Sequence, residues 1–528
     1  MSKNFMSAVK GTLNDEFNVS VTENGAVGYR TSGKELLDIN FAVASLRRAT
    51  PKDIYDRFMR AFFEDKVTAM KWLFFARDVR GGLGERRLFR SVFERMAVSN
   101  PEYIIPLINL VPEYGRYDDL WSLLDTELAD NVMALVKKQL VEDVKAASKG
   151  ENISLLAKWL PSPNASSPTT KRYAKKIFKY IGVTERDYRK TLSRLRKKLD
   201  VVECKMSART WDTIRYEAVP SRANLIYNNA FLRNDEDRRR AFLAALEKGE
   251  VKINASTLYP HDVVSKYMMG NGWGRDRLKP LDQTLEALWK SLPDTVQGCG
   301  NTIVVADGSG SMTTTVGGTS TTALEVANAL AIYFAERSSG QFKDQYITFS
   351  EHPQLVNLSS GKNLREKIQI ALQHNEVANT NIEAVFDLIL STAVKNNMAQ
   401  EDLPQNILII SDMEFDSCAT CGAARRGYGY GGYGGYGGNR PNAKLFQTIA
   451  KRYAEAGYQI PRMVFWNVNS RTGTIPVIEN DLGVALVSGF STNIVKMVMS
   501  GKTDPYECLL ETLNSERYAP IGKALSYL

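Results

Sequence analysis

In the stretch NTIVVADGSGSMTTT, three oxygen-bearing side chains occupy alternate positions: Asp307, Ser309 and Ser311, spaced D-x-S-x-S. Alternate side chains in a tight loop can converge on one centre, and Gly308 and Gly310 let the backbone fold closely. Carboxylate and hydroxyl oxygens are hard donors, the kind Mg²⁺ gathers in near-octahedral geometry while keeping some of its waters. Three residues do not fill six positions, so further donors are expected from other loops. Thr380, just ahead of a helix in NTNIEAVF, and Asp412, closing the apolar run of ILIISDMEFD, supply them. A glycine–serine turn with a helix cap at Ser311 would explain the first loop alone, but not all three elements in this order.

Phosphate-binding alternatives fail on residue type. A phosphate loop needs GxxxxGK[ST], and the loop after Asp307 contains no lysine; a dinucleotide fingerprint needs a third glycine where Thr313 stands. GYRTSGKE, residues 28–35, matches GxxxxGK but puts Glu35 where a magnesium-binding hydroxyl belongs. Cys418 and Cys421 form a C-x-x-C pair, but zinc would need two more ligands. The three histidines, His261, His352 and His374, are all distant in sequence. No nucleophile–base pairing stands out, so the chain reads as non-enzymatic.

The elements that must position these residues fall into two kinds. From about residue 35 to 290, apolar residues recur at three- and four-residue spacing with charges between them, the pattern of successive amphipathic helices. After Pro293 apolar strand runs (NTIVVAD, QYITFS, QNILIISD, RMVFWNVN, GVALVSGF) alternate with helical segments, which predicts a mostly parallel sheet covered on both faces. In such sheets ligands bind at the carboxyl ends of the strands, where Asp307 and Asp412 fall. The expected fold is α + α/β: an N-terminal extension over 1–34, an all-α helical-repeat (HEAT-like) module over 35–292, and a doubly wound, Rossmann-like domain over 297–528. That last domain carries a Gly/Tyr-rich insertion at 422–440.

Composition narrows the partners. Residues 1–300 carry 50 Lys and Arg against 38 Asp and Glu, whereas 301–528 carry 18 against 21, so the basic excess lies entirely in the N-terminal part. Residues 171–198 concentrate it, with twelve basic residues against two acids and Tyr173, Phe178, Tyr180 and Tyr188 interleaved. A basic helical face attracts phosphates by releasing counterions, and aromatics can stack on unpaired bases. The candidate RNA-binding residues are Lys171, Arg172, Lys175, Lys176, Lys179, Arg189, Lys190, Arg194, Arg196, Lys197 and Lys198. At helical spacing the same aromatics also suit a core. FFARDVRGGLGERR reads as a tight helix-to-helix connection, or as a functional loop freed by Gly81, Gly82 and Gly84. The glycine-dense RRGYGYGGYGGYGGNR cannot form a packed element. Five cysteines, no apolar leader and no long apolar run place the expected protein in the cytoplasm, without a membrane span.

The D-x-S-x-S loop, the threonine before a helix and the strand-end aspartate together resemble the metal-ion-dependent adhesion site of von Willebrand factor A domains. The resemblance implies Mg²⁺ or Mn²⁺ held by Asp307, Ser309, Ser311, Thr380 and Asp412, with an open position for a protein partner's carboxylate. A helical module ahead of such a domain resembles the Ro autoantigen (TROVE-module) RNA-binding proteins. Still closer is the likeness to a poorly characterised family of plant, viral and bacterial or phage proteins of the same layout. That likeness rests on FFARDVRGGLGERRLFR (74–90), PEYGRYDDL (112–120), YRKTLSRLRKKLDVVE (188–203), VPSRANLIYNNAF (219–231), YPHDVV (259–264), ISDMEFD (410–416) and LVSGFS (486–491). Its functional content is thin; the looser Ro resemblance implies a ribonucleoprotein scaffold that binds small structured or single-stranded RNA. The alternative is a protein-binding adaptor or assembly factor that acts through the metal site without RNA.

Overall fold

The computed structural model describes residues 17–268, 278–296, 300–317, 319–349, 352–375, 381–416, 445–477, 483–495 and 504–528. They divide into two compact units that interleave in sequence. One is built from 1–49, 259–281 and 294–512; the other from 50–258, 282–293 and 513–528. A single boundary near residue 293 therefore does not describe the division. Residues 17–49 and the Pro260–Tyr267 helix pack with the sheet, while the last sixteen residues return to the helices.

The helical unit forms where the sequence supplies starts and a buried face. Thr50 and Asp53 make a reciprocal capping box ahead of Pro51–Glu64, with Pro51 at the first helical position. Asp65 caps Lys66–Arg77 by accepting the Thr68 amide. That second helix is buried almost all round, and Phe74 meets Phe89, Phe93 and Tyr114 edge-on at 5.3–6.1 Å. Helix length varies from single turns to the twenty residues of Ala129–Ser148, and 3-10 segments at Ile105–Leu110 and Tyr117–Asp125 interrupt the α-helices. The C-terminal Ala519–Ala524 helix packs here, with Tyr518 edge-on to Phe75 at 5.8 Å.

The other unit opens with a short hairpin, β1 (Val19–Val21) and β2 (Val27–Tyr29), inside what the sequence presents as an extension. Its core is a six-stranded sheet of β3 (Thr302–Asp307), β4 (Gln345–Phe349), β5 (Gln354–Asn357), β6 (Asn406–Ser411), β7 (Arg462–Asn467) and β8 (Val484–Ser488). The spatial order is β5-β4-β3-β6-β7-β8. All pairings are parallel except β4–β5, an antiparallel edge that the apolar runs do not announce because half of β5 is exposed. Every residue of β3, β7 and β8 is buried, so both faces are covered. The adjacent residues Phe465 and Trp466 point to opposite faces. Phe465 meets Phe446 of the Leu445–Glu455 helix at 5.0 Å, and Trp466 meets Phe334 of the Ala323–Arg337 helix at 5.8 Å. Strand order reverses between β3 and β6, which opens a crevice at their carboxyl ends.

Candidate functional site

The register of β3 and β6 decides what meets at that crevice. Ala306 lies beside Ile410, so Asp307 and Ser411 come alongside as the strands end. The Ser411 hydroxyl donates to Asp307 Oδ2 at 2.6 Å, and the Ser309 amide donates to Oδ1 at 2.9 Å, which fixes the carboxylate plane. The Ser309 and Ser311 hydroxyls lie 3.0 Å apart. Asp412 accepts the Glu414 amide at 3.3 Å. Asp307, Ser309 and Asp412 are each no more than 1% exposed. Four of the five residues expected from sequence thus gather at one sheet edge, while Thr380 lies outside the described residues. Ser411 went unread; its signal was a hydroxyl at the end of the strand paired with β3.

Burial pushes both carboxyls above the ordinary carboxylate range. For Asp307 the Asp416 charge adds to the push, and for Asp412 the charge of Asp307 adds. The positive group facing Asp412 is Arg471, at 3.5 Å, and it is shared with Glu23 at 2.7 Å. Among the described residues no three His, Cys, Asp or Glu side chains cluster as a metal-holding group. The set here is two carboxylates with serine hydroxyls, which suits a hard divalent cation that keeps waters rather than zinc. Such a cation would supply the charge these buried carboxylates lack.

Glu414, fully buried, organises the rim. Its carboxylate accepts the amides of Glu23, Arg471 and Thr472 at 2.8–2.9 Å, joining the hairpin turn to the loop after β7. Tyr29 bridges to Ile475, and a Cβ on Gly28 would lie 2.5 Å from the Ile475 carbonyl oxygen. Gly28, the first glycine of GYRTSGKE, therefore serves a close strand approach. Thr31 and Ser32 bond to Asp38, and no phosphate-cradling loop forms there. Cys418, Cys421 and the Gly/Tyr-rich 422–440 lie outside the described residues.

The basic run forms two helices, Pro168–Ile181 and Glu185–Lys198, started by Ser167 and Thr184 caps. Four of the eleven candidate cations are engaged by the protein itself. Arg172 and Lys176 bond to Asp125, Arg196 to the Ala157 and Leu160 carbonyls, and Lys198 to the Gly150 carbonyl. Lys171, Lys175, Lys179, Arg189, Lys190, Arg194 and Lys197 are exposed. Of the aromatics, Tyr188 is buried and bonds the Pro161 carbonyl, the half-buried Phe178 packs on it at 6.0 Å, and the half-buried Tyr173 bonds to Asp125. Tyr180 alone of the four is exposed.

Residues 301–517 match a family model described as "Domain of unknown function (DUF7788)", and residues 126–302 match "Domain of unknown function (DUF2828)". The chain is also similar to "Uncharacterized protein L728" of Acanthamoeba polyphaga mimivirus. The two are 29% identical over 544 residues, an alignment covering 96% of this chain and 89% of the viral protein. None of these descriptions carries an activity. Among the described residues no helix is long and apolar enough to cross a membrane.

Two of the phrases singled out in the sequence fasten each other inside the helical unit. Arg77, from FFARDVRGGLGERRLFR, is buried and pairs with Asp119 of PEYGRYDDL at 2.7 Å. Arg90 reaches the other Asp119 oxygen at 2.6 Å, and Arg86 and Arg116 hold Asp118 at 2.7–2.8 Å. Gly82 lies so close under Phe75 that a Cβ would meet the Phe75 carbonyl oxygen at 1.9 Å. Gly84 adopts φ +74°, a left-handed conformation. The glycines serve a tight connection between helices, the packing alternative of the two readings.

Proposed function

We propose that this chain is a non-enzymatic binding protein with two ligand-bearing units. The sheet unit, von Willebrand factor A-like, holds Mg²⁺ or Mn²⁺ through Asp307, Ser309, Ser311, Thr380 and Asp412 and presents it to a carboxylate of a protein partner. The helical unit binds RNA, as in a ribonucleoprotein scaffold. The observation that carries the reading is the buried pair Asp307 and Asp412, converging with serine hydroxyls where the strand order reverses, with Arg471 shared with Glu23. When bound, the metal supplies the counter-charge and an open position for an incoming oxygen. The chain's own residues orient the donors: Ser411 and the Ser309 amide hold Asp307, and the Glu414 amide holds Asp412. No histidine or free nucleophile stands beside them among the described residues.

Mn²⁺ binding by the full chain, read by electron paramagnetic resonance, tests the metal half. Binding that Asp307→Ala and Asp412→Asn both abolish supports it, and a wild-type chain that binds neither Mn²⁺ nor Mg²⁺ overturns it. For the RNA half, affinity for short RNAs should fall steeply between about 50 and 200 mM salt. The engagement of Arg172, Lys176, Arg196 and Lys198 within the fold favours a second reading, a protein adaptor without RNA. Failure to bind any RNA at low salt would establish that reading over the first.

A further inference from the structure

One surface of the Glu185–Lys198 helix borders a cavity of about 1120 Å³ within the helical unit. Arg186, Arg189, Lys190, Ser193 and Lys197 line it, at steps of three, four, seven and eleven residues from Arg186, so they share one helical face. Tyr188 and Leu195 are buried away from it, and the buried Leu192 reaches its edge. The far wall brings Cys204 and Lys205 from the Val202–Ala208 helix, and the Ser162 loop closes one end. Six cations line this space against a single carboxylate, Asp200, which Lys205 at 2.6 Å and Arg215 at 3.3 Å already neutralise. Arg196 and Lys205 are engaged by protein groups, whereas the side chains of Arg186, Arg189, Lys190 and Lys197 are exposed and make no hydrogen bond or ion pair among the described residues.

Folding does not account for this arrangement. Like charges three and four residues apart cost a few tenths of a kcal/mol per pair. Arg186 also stands in the first turn, where the helix dipole disfavours a cation. Chemistry on the ligand side does account for it. From Arg186 to Lys197 the stripe runs about 16 Å at 1.5 Å per residue. That is far longer than one phosphate, and it matches several successive phosphates of a strand, which advance by about 3.4 Å or more each. The volume exceeds the roughly 300–1,000 Å³ of ordinary small-molecule pockets. No aromatic side chain lines the cavity, so it offers no stacking platform for bases.

We propose that this cavity is where the helical unit holds RNA, gripping the phosphates of an unpaired strand without reading its bases. The inference rests on the reading of that unit as RNA-binding and adds the location, the strandedness and the lack of sequence preference.

The test uses the full chain with uridine and adenosine oligonucleotides of equal length, at fixed salt. Expected are affinities within about threefold for the two sequences, and inorganic tripolyphosphate that competes only in large excess. Arg189→Glu with Lys190→Glu should weaken binding at least tenfold and flatten the salt slope by about 1–1.5. Ser193→Trp, which fills the cavity without changing charge, should weaken it comparably. Lys137→Glu with Lys138→Glu, outside the cavity, should change it less than threefold. Bound oligonucleotide should also slow alkylation of the exposed Cys204, read on its own peptide by mass spectrometry. All the substituted side chains are exposed, so unchanged melting curves confirm that each variant folds. RNA that binds the stripe and Ser193→Trp variants as tightly as wild type, or leaves Cys204 alkylation unchanged, overturns this site and leaves the RNA-binding reading standing. A chain that binds tripolyphosphate tightly and no RNA at low salt overturns both.

Discussion

At the scale of single residues, both centres depend on charges that the fold has removed from water. Asp307→Ala should abolish measurable Mn²⁺ binding, because it deletes a donor. Ser411→Ala should cost about 10–100-fold by releasing the Asp307 carboxylate from its 2.6 Å bond, the usual effect of losing a residue that orients a ligand. Titration calorimetry on the two variants separates them, since only the second should recover when Thr replaces Ser411. In the helical unit Asp119 is 1% exposed and faces Arg77, itself 4% exposed. Asp119→Ala strands a buried guanidinium and should destabilise the unit by about 3–5 kcal/mol, measured by urea unfolding. The neighbouring Asp118 adds a pH signature. Burial pushes its carboxyl up, but Arg116, Arg86 and Arg90 pull it further down, to below the ordinary value. A lowered folded-state pKa gives stability that is complete above the unfolded value of about 4 and lost as pH falls through the folded one. Asp118→Asn should therefore lower the melting temperature at pH 7 and have less effect near pH 2.

At the scale of elements, residue type accounts for where many helices start. Thr50, Asp65, Ser167, Thr184, Thr322 and Asn363 each cap the helix that follows, a pattern readable from residue type. The glycines divide into two kinds that sequence does not distinguish. Gly82→Ala forces a Cβ against the Phe75 carbonyl and should cost about 3 kcal/mol, the upper end of overpacking. Gly150, at φ +80° with no atom near a Cβ, should cost only about 1 kcal/mol on the same change. Denaturant midpoints of the two variants check the difference. The antiparallel edge strand Gln354–Asn357 escaped notice because one face of it meets water and no apolar run marks it.

At the scale of the whole molecule, the chain's ends are the unexpected part. Residues 17–49 join the sheet unit: Asn467 bonds the Phe41 carbonyl at 2.9 Å, and Arg47 stacks over Phe490 at 3.5 Å. The last residues join the helical unit, where Arg517 and Tyr518 bond the fully buried Asp78. Ending the chain after Leu513 leaves that carboxylate buried without its side-chain partners. The helical unit's thermal transition should then fall by an amount equivalent to about 3–5 kcal/mol. Arg517→Ala, which leaves Tyr518 in place, should give a smaller shift in calorimetry.

By itself the sequence determined the two kinds of element and the order in which they occur, because periodicity, caps and buried strand runs are local properties. It also located Asp307, Ser309, Ser311 and Asp412, whose spacing and strand-end positions bring them to one edge once the strands lie parallel. Tertiary structure alone decided which charges remain free. The basic run reads as one surface in sequence, but Asp125 and the Ala157, Leu160 and Gly150 carbonyls, up to 51 residues away, claim part of it. Part of what stays exposed is the stripe from Arg186 to Lys197 beside a cavity. Which partner neutralises a cation depends on distance in space, and a linear pattern does not record that.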